Sequence, residues 1–276
     1  MNKTIKVTNG TSFLELKLNT LGSYLKFKKP LAINWSDCQG SIAQFYAIFS
    51  YLQEYKESIQ ESLRVKLNDG SFDLNSEIDE VSKLLSLFEN GTYNISFEPE
   101  YQYKISDNWN WNLAKNNKLF SSNAVIREET QTLYSDENKN LDYLTESYYN
   151  GYSEYFIFTQ PSEVLNKERI KFYQEKIIQG EKPTAIIYNG YSETKGTYKD
   201  GSNWIRTYLS GDFIIDGHHK LMAYKKLNCA PSLLRISKIY NSDDKLNFSM
   251  KDFKSDLASR LLKCQSKHFT ENYKEK

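Results

Sequence analysis

The sequence predicts an α+β protein with an N-terminal strand-and-helix domain over residues 1–150 and a second domain over residues 151–276. Three observations predict this. Short strands open the chain, apolar residues at helical spacing follow, and residues 156–240 read strand, helix, strand, strand, helix, strand.

In the first 30 residues, KTIKV meets an Asn9-Gly10 turn, FLELKL alternates, and Leu25 to Lys29 returns as a third strand. From Gly40 to Gln60, Ile42, Phe45, Ile48, Phe49 and Leu52 recur at intervals of three and four, which predicts a helix. A second amphipathic helix, EIDEVSKLLSLF, lies between Asn68-Asp69-Gly70 and Asn90-Gly91. TYNISFEP and EYQYKI read as strands, and the polar, Tyr-rich residues 130–153 hold the expected domain boundary. Further on, YFIFT is a strand and Asn166 an N-cap for KERIKFYQEKIIQ, with Ile170, Tyr173, Ile177 and Ile178 on the apolar face and Gly180 at the end. TAIIY, DFII and SLLRISKI are strands, KLMAYKKL is a helix, and a last helix is expected near Met250 to Cys264. Between TAIIY and DFII, Asn189 to Ser210 reads as a long polar connection.

The 276 residues carry a net charge of +1. Residues 1–160 hold 15 Lys and Arg against 21 Asp and Glu, whereas residues 161–276 hold 21 against 14. The basic half would attract phosphates of nucleotides or nucleic acid. No stretch reaches the roughly 18 apolar residues of a membrane helix, and MNKTIKVTNGTSF lacks the apolar core of a secretory signal. Cys38, Cys229 and Cys264 are odd in number and far apart, which excludes a disulfide framework and a zinc ribbon. A soluble, cytoplasmic protein is expected. Trp109 and Trp111 are read as core residues, His268 as exposed, and Cys38 has no visible His partner for nucleophilic catalysis.

The chemistry concentrates in Phe213-Ile214-Ile215-Asp216-Gly217-His218-His219-Lys220, where a buried strand runs through a Gly turn straight into a helix. The first backbone N–H groups of such a helix are unpaired and backed by the positive end of the macrodipole, an arrangement suited to phosphate. Gly217 allows positive φ, and Lys220 adds a mobile positive charge. Asp216 could hold a metal ion, orient a hydroxyl or cap the helix. Adjacent histidines point in different directions, so their spacing is not that of a metal site.

IIDGHHKLMAYKKLNCAPSLLRI resembles the core motif of the ParB/sulfiredoxin-like superfamily, and KERIKFYQEKIIQGEKPTAIIY resembles its preceding helix and strand. The resemblance covers about residues 156–240 and implies a small mixed sheet. Chromosome-partitioning ParB proteins carry G-E-R-R and a helix-turn-helix; here Gly217-His218-His219-Lys220 stands instead, and 36 residues follow Tyr240. Sulfiredoxins place a Cys where His218 stands, which argues against sulfinic-acid reduction. The pattern is most similar to the D-G-x-H-R of ParB-like free-serine kinases. That resemblance implies Asp216 and His219 as active-site residues, with Lys220 replacing an Arg. It also implies a catalytic acid before the first helix, matched by Glu163, with Glu168 as a fallback; Ser162-Glu163 equally fits a plain helix start.

These readings lead to nucleotide-dependent phosphotransfer or nucleotide hydrolysis. Gly217, His218, His219 and Lys220 would bind phosphate, and Asp216, His219 and Glu163 would be catalytic. Mg²⁺ on Asp216 and a nucleoside di- or triphosphate would be the cofactors, with a small hydroxyl compound as substrate. The alternative is a non-catalytic nucleotide- or anion-sensing module with a protein partner. A third class, nucleic-acid binding or cleavage, is weakened by the absent helix-turn-helix and near-zero net charge.

Overall fold

The computed structural model describes residues 2–18, 22–27, 29–36, 43–48, 61–101, 143–148, 156–157, 159, 165–210 and 212–240. They form an α+β arrangement of two sheets and four helices, the helices being α1 (Glu61–Asp69), α2 (Ile78–Leu85), α3 (Lys167–Ile178) and α4 (His218–Leu227). The expected strand EYQYKI beyond Tyr101 and the expected helix near Met250 to Cys264 lie outside the described residues.

The larger sheet is mixed. Its order is β1 (Asn2–Val7), β6 (Gly91–Glu98), β12 (Ser232–Tyr240), β9 (Thr184–Thr197), β11 (Asp212–Asp216) and β8 (Phe156–Ile157), with β10 (Asn203–Leu209) paired to β9. β12 runs parallel to β9 from Ser232↔Thr184 to Tyr240↔Ser192 and antiparallel to β6 on its other side. β11 is an inner strand, antiparallel to β9 and parallel to β8, as the pattern of DFII beside TAIIY predicts. Strands from both sides of residue 150 share this sheet.

The smaller sheet is antiparallel, ordered β2 (Leu14–Leu18), β3 (Gly22–Phe27), β4 (Lys29–Ser36), β5 (Ala43–Ile48) and β7 (Tyr143–Tyr148). Here the helix expected from Gly40 to Gln60 is corrected. Ala43–Ile48 is a strand, held between β4 and β7. Phe45, Tyr46 and Ile48 favour a pleated surface as much as a helix, and pairing on both edges decides the outcome. Residues 49–60 lie outside the described part.

Leu63 and Leu67, one helical turn apart, give α1 its buried stripe, and Val81, Leu84 and Leu85 do the same for α2. The expected N-cap of α3 is present: Asn166 Oδ1 accepts from Arg169 N at 2.9 Å. Ile170 and Tyr173 are buried, but Ile178 is 72% exposed, because the buried face turns away at the last turn before Gly180. Asn189 to Ser210 is not a loose connection: β9 continues through it and returns as β10, a hairpin from Tyr191↔Leu209 to Thr197↔Asn203.

The core runs through both ends of the chain. Phe88 meets Tyr188 edge-on at 4.7 Å and Tyr93 at 5.7 Å, and all three are buried beside Ile95, Ile187 and Ile236. Such aromatic pairs contribute roughly 0.5–1.5 kcal/mol beyond area burial. The end of α1 docks on the turn before β9: a Cβ at Gly70, whose φ is +77°, would stand 2.6 Å from Lys182 N. Only glycine tolerates both that φ and that approach, so α1 is fixed close to the sheet.

Candidate functional site

One cleft, with a volume of about 100 Å³, gathers the DGHHK turn and residues from two other helices. Asp216, Gly217, His218, His219 and Lys220 line it from the end of β11 and the first turn of α4, Arg169 and Tyr173 from α3, and Arg64 and Asn68 from α1. Tyr173 donates its phenol proton to Asn68 Oδ1 at 3.1 Å, fastening α3 to α1.

Gly217 makes the turn possible. Its φ of +100° and ψ of 22° lie in the left-handed region, and a Cβ there would stand 2.7 Å from Ala185 Cβ. The turn therefore lies directly on β9. Gly217 is the N-cap of α4 and supplies no side chain to the first N–H groups of the helix. Asp216 does not cap the helix; its Oδ2 instead accepts from Lys220 Nζ at 3.3 Å.

Lys220 departs from the expected mobile cation. It is 1% exposed, and its ammonium donates to the Thr184 carbonyl at 2.7 Å and lies 6.0 Å from the centroid of the Tyr173 ring. The i,i+4 spacing from Asp216 and the close packing of the turn on β9 draw the stem inward. Burial pushes the Lys220 ammonium below its ordinary value; Asp216 opposes this, and Arg169 and Arg64 add to it. Burial pushes the Asp216 carboxyl up, but Lys220, then His218 and Arg64, bring it below its ordinary value. Asp216 is therefore an ionised carboxylate, and among the described lining residues three basic side chains, Arg64, Arg169 and Lys220, outnumber it.

Both histidines accept backbone hydrogen bonds. His218 is buried and its Nε2 accepts from Thr159 N at 3.1 Å, while Thr159 Oγ1 donates to the Ile214 carbonyl at 2.8 Å. His219 Nε2 accepts from Asn166 N at 3.1 Å. An accepting Nε2 carries no proton, which places the ring proton of each on Nδ1. The His218 side chain is thus engaged by Thr159, and its backbone N–H lies in the first turn of α4. Glu163 lies outside the described residues. Glu168 is exposed on α3 and does not line the cleft.

Strand, glycine turn and helix form over the motif, and Arg64, Asn68, Arg169 and Tyr173 line the same cleft, where the sequence reading does not place them. Arg169 and Tyr173 sit four apart on one helical face and could have been found; Arg64 could not, since its approach depends on the docking of α1.

Among the described residues no group of three or more His, Cys, Asp or Glu could hold a metal ion. Among the described residues Asp216 is the one carboxylate lining the cleft, and it already faces Lys220, with Arg64 and Arg169 nearby. The described residues by themselves do not supply the several oxygen ligands that a resident Mg²⁺ prefers. Among the described residues, no helix is long and apolar enough to cross a membrane. No family model, curated protein or solved structure matches this chain.

Proposed function

We propose that this chain is a ParB/sulfiredoxin-like nucleotide-binding protein whose cleft takes a phosphate group and serves nucleotide-dependent phosphotransfer or nucleotide hydrolysis. One observation supports the reading: the start of α4 opens into a cleft that Arg64, Arg169, Lys220 and Asp216 also line. Phosphate suits both the N-terminal end of a helix and the basic side chains beside it.

In this reading the backbone of Gly217, His218 and His219 and the two arginines receive phosphate oxygens. Lys220 acts from beneath, holding Asp216 in place and contributing its field. Asp216, kept ionised, orients the hydroxyl of the small acceptor or the attacking water. His219, whose Nε2 accepts from Asn166 N, would contact the phosphoryl group. Glu163, three residues before Asn166, would take the hydroxyl proton. Positioning and charge neutralisation would supply most of the rate. Any Mg²⁺ would arrive as the nucleotide's own counterion.

A non-catalytic nucleotide or anion sensor is the second reading. It is favoured by the two bonds from His218 and His219 to the backbone of Thr159 and Asn166, which tie the cleft to the segment before α3. A thermal-shift panel of nucleoside di- and triphosphates, with and without Mg²⁺, followed by a product assay with small hydroxyl compounds, tests both readings. A ligand that binds only the folded state raises Tm. Stabilisation with turnover supports the first reading, and stabilisation without turnover the second. No stabilisation by any nucleotide removes both in their nucleotide form.

A further inference from the structure

The cleft's size and its two arginines say which part of a ligand it recognises. Its volume of about 100 Å³ is well under the roughly 300–1,000 Å³ of sites that enclose a whole organic ligand. One tetrahedral oxyanion is matched to it; a base, a sugar and three phosphates are not. Arg64 comes from α1 and Arg169 from α3, and the two helices are joined by the Tyr173–Asn68 hydrogen bond. α1 is anchored at its far end by the close approach of Gly70 to Lys182. Two guanidiniums are thus delivered from separate, mutually braced helices to one small space, each able to fork onto two oxygens.

Arg64 also has a local partner that a ligand would displace. Its Nη1 lies 3.6 Å from Glu61 Oε2, an i,i+3 pair whose glutamate is 77% exposed. Such an exposed pair contributes little in water. Arg169 is exposed at the first turn of α3, one turn before Tyr173.

We infer that the cleft is a site for a single terminal phosphoryl group, clamped by Arg64 and Arg169, and that α1 supplies half of the clamp. This rests on the phosphate-binding reading above and deepens it: the ligand is a phosphate monoester or free phosphate entering by its dianionic end, with the remainder outside the cleft. Lys220 and Asp216 form the fixed base of the site, and Arg64 and Arg169 are the groups that recognise the ligand.

The test is calorimetric titration of the full chain with inorganic phosphate, a nucleoside monophosphate and a nucleoside triphosphate, repeated with Arg64→Gln, Arg169→Gln and Arg64→Lys. Each glutamine variant should bind phosphate and monoester about tenfold or more weakly, the scale of losing a hydrogen bond to a charged group. Arg64→Lys should fall between, since charge without the fork is only part of the contact. Circular dichroism melts confirm that each variant is folded. If phosphate binds and both glutamine variants weaken it while nucleotides do not bind, the clamp stands and the nucleotide reading falls. If nucleotides bind equally well to wild type and both variants, the clamp falls and the nucleotide reading stands. Binding of no phosphorylated probe overturns both.

Discussion

His218 accepts a hydrogen bond at 3.1 Å from the backbone N–H of Thr159, a residue 59 positions earlier in the chain. Its neighbour His219 accepts in the same way from Asn166 N. The residue before Glu163's segment and the residue after it are therefore both fastened to the first turn of α4. Two histidines that the sequence offers as ligand contacts act as acceptors for a backbone that would otherwise lack partners.

Replacing His218 should expose that dependence. Thr159 is fully buried, so His218→Ala leaves its N–H unpaired. A buried donor without a partner costs about 1–3 kcal/mol. The urea midpoint should fall accordingly, with an unchanged slope. A midpoint equal to that of the unaltered chain would show that the Thr159 bond contributes nothing.

Gly217→Ala should be worse tolerated than a usual surface change. A Cβ would lie 2.7 Å from Ala185 Cβ and 2.9 Å from Ala185 Cα, in a backbone conformation with φ at +100°. Strain of about 1–3 kcal/mol is the scale for a residue forced into that region, before the clash is counted. Gly201→Ala is the control. Gly201 also has positive φ, at +85°, but a Cβ there meets nothing within 4 Å. Equal thermal destabilisation of the two variants would remove the argument that the turn packs on β9.

The contrast between Gly217 and Arg64 explains how much of this site was legible. The strand, the Gly turn and the apolar helix of DFIIDGHHKLMAYKKL are local, and short-range sequence signals describe them. Asn166 as N-cap and Gly180 at the end of α3 are local in the same way. What is not local went unread. α1 was missed because its buried stripe is only Leu63 and Leu67. Phe45 and Ile48 satisfy a helical three-residue spacing, while the pairing of β5 with β4 and β7 is invisible in the segment itself. The joining of β6 to β12 brings residues 92–98 against residues 233–239, and no local pattern announces it. Lys220 looked like a phosphate contact because a basic residue at a helix start usually projects into water; the contact of Gly217 with Ala185 turns it inward.

Lys220→Met keeps length and volume but removes the charge. Asp216 would then stay in the cleft without its ion-pair partner, and the Thr184 carbonyl would lose its donor. Removing one partner of a buried pair costs about 3–5 kcal/mol. Asp216→Asn combined with Lys220→Met should recover part of that loss in urea unfolding. The pair also sets a pH dependence. The folded Asp216 carboxyl lies below its ordinary value of 3.8, so the unfolded chain binds its proton more readily. Its stabilisation is present above pH about 4 and is lost as pH falls below that value. Relative to Asp216→Asn, the unaltered chain should lose more stability on going from neutral pH to below 4. A constant difference between the two chains across that range would contradict the ion pair.

Chemistry is separated from binding by the same residue measured differently. Phosphoryl transfer requires a group that holds the acceptor in line and another that takes its proton. Asp216→Asn preserves shape and removes charge, and it lies at a position where no helix-capping bond is lost. Some stability will go with the Lys220 pair, so turnover is compared well below each variant's Tm and with nucleotide saturating. If Asp216 orients the hydroxyl, product formation should fall at least about a hundredfold while the nucleotide affinity stays within a few-fold. Glu163→Gln should match that loss if it accepts the proton. Glu168→Gln, exposed on α3 and away from the cleft, should leave the rate unchanged. Equal turnover in Asp216→Asn and the unaltered chain would end the catalytic role of Asp216. If the unaltered chain binds nucleotide but transfers phosphate to neither water nor any hydroxyl compound, the cleft is a sensor.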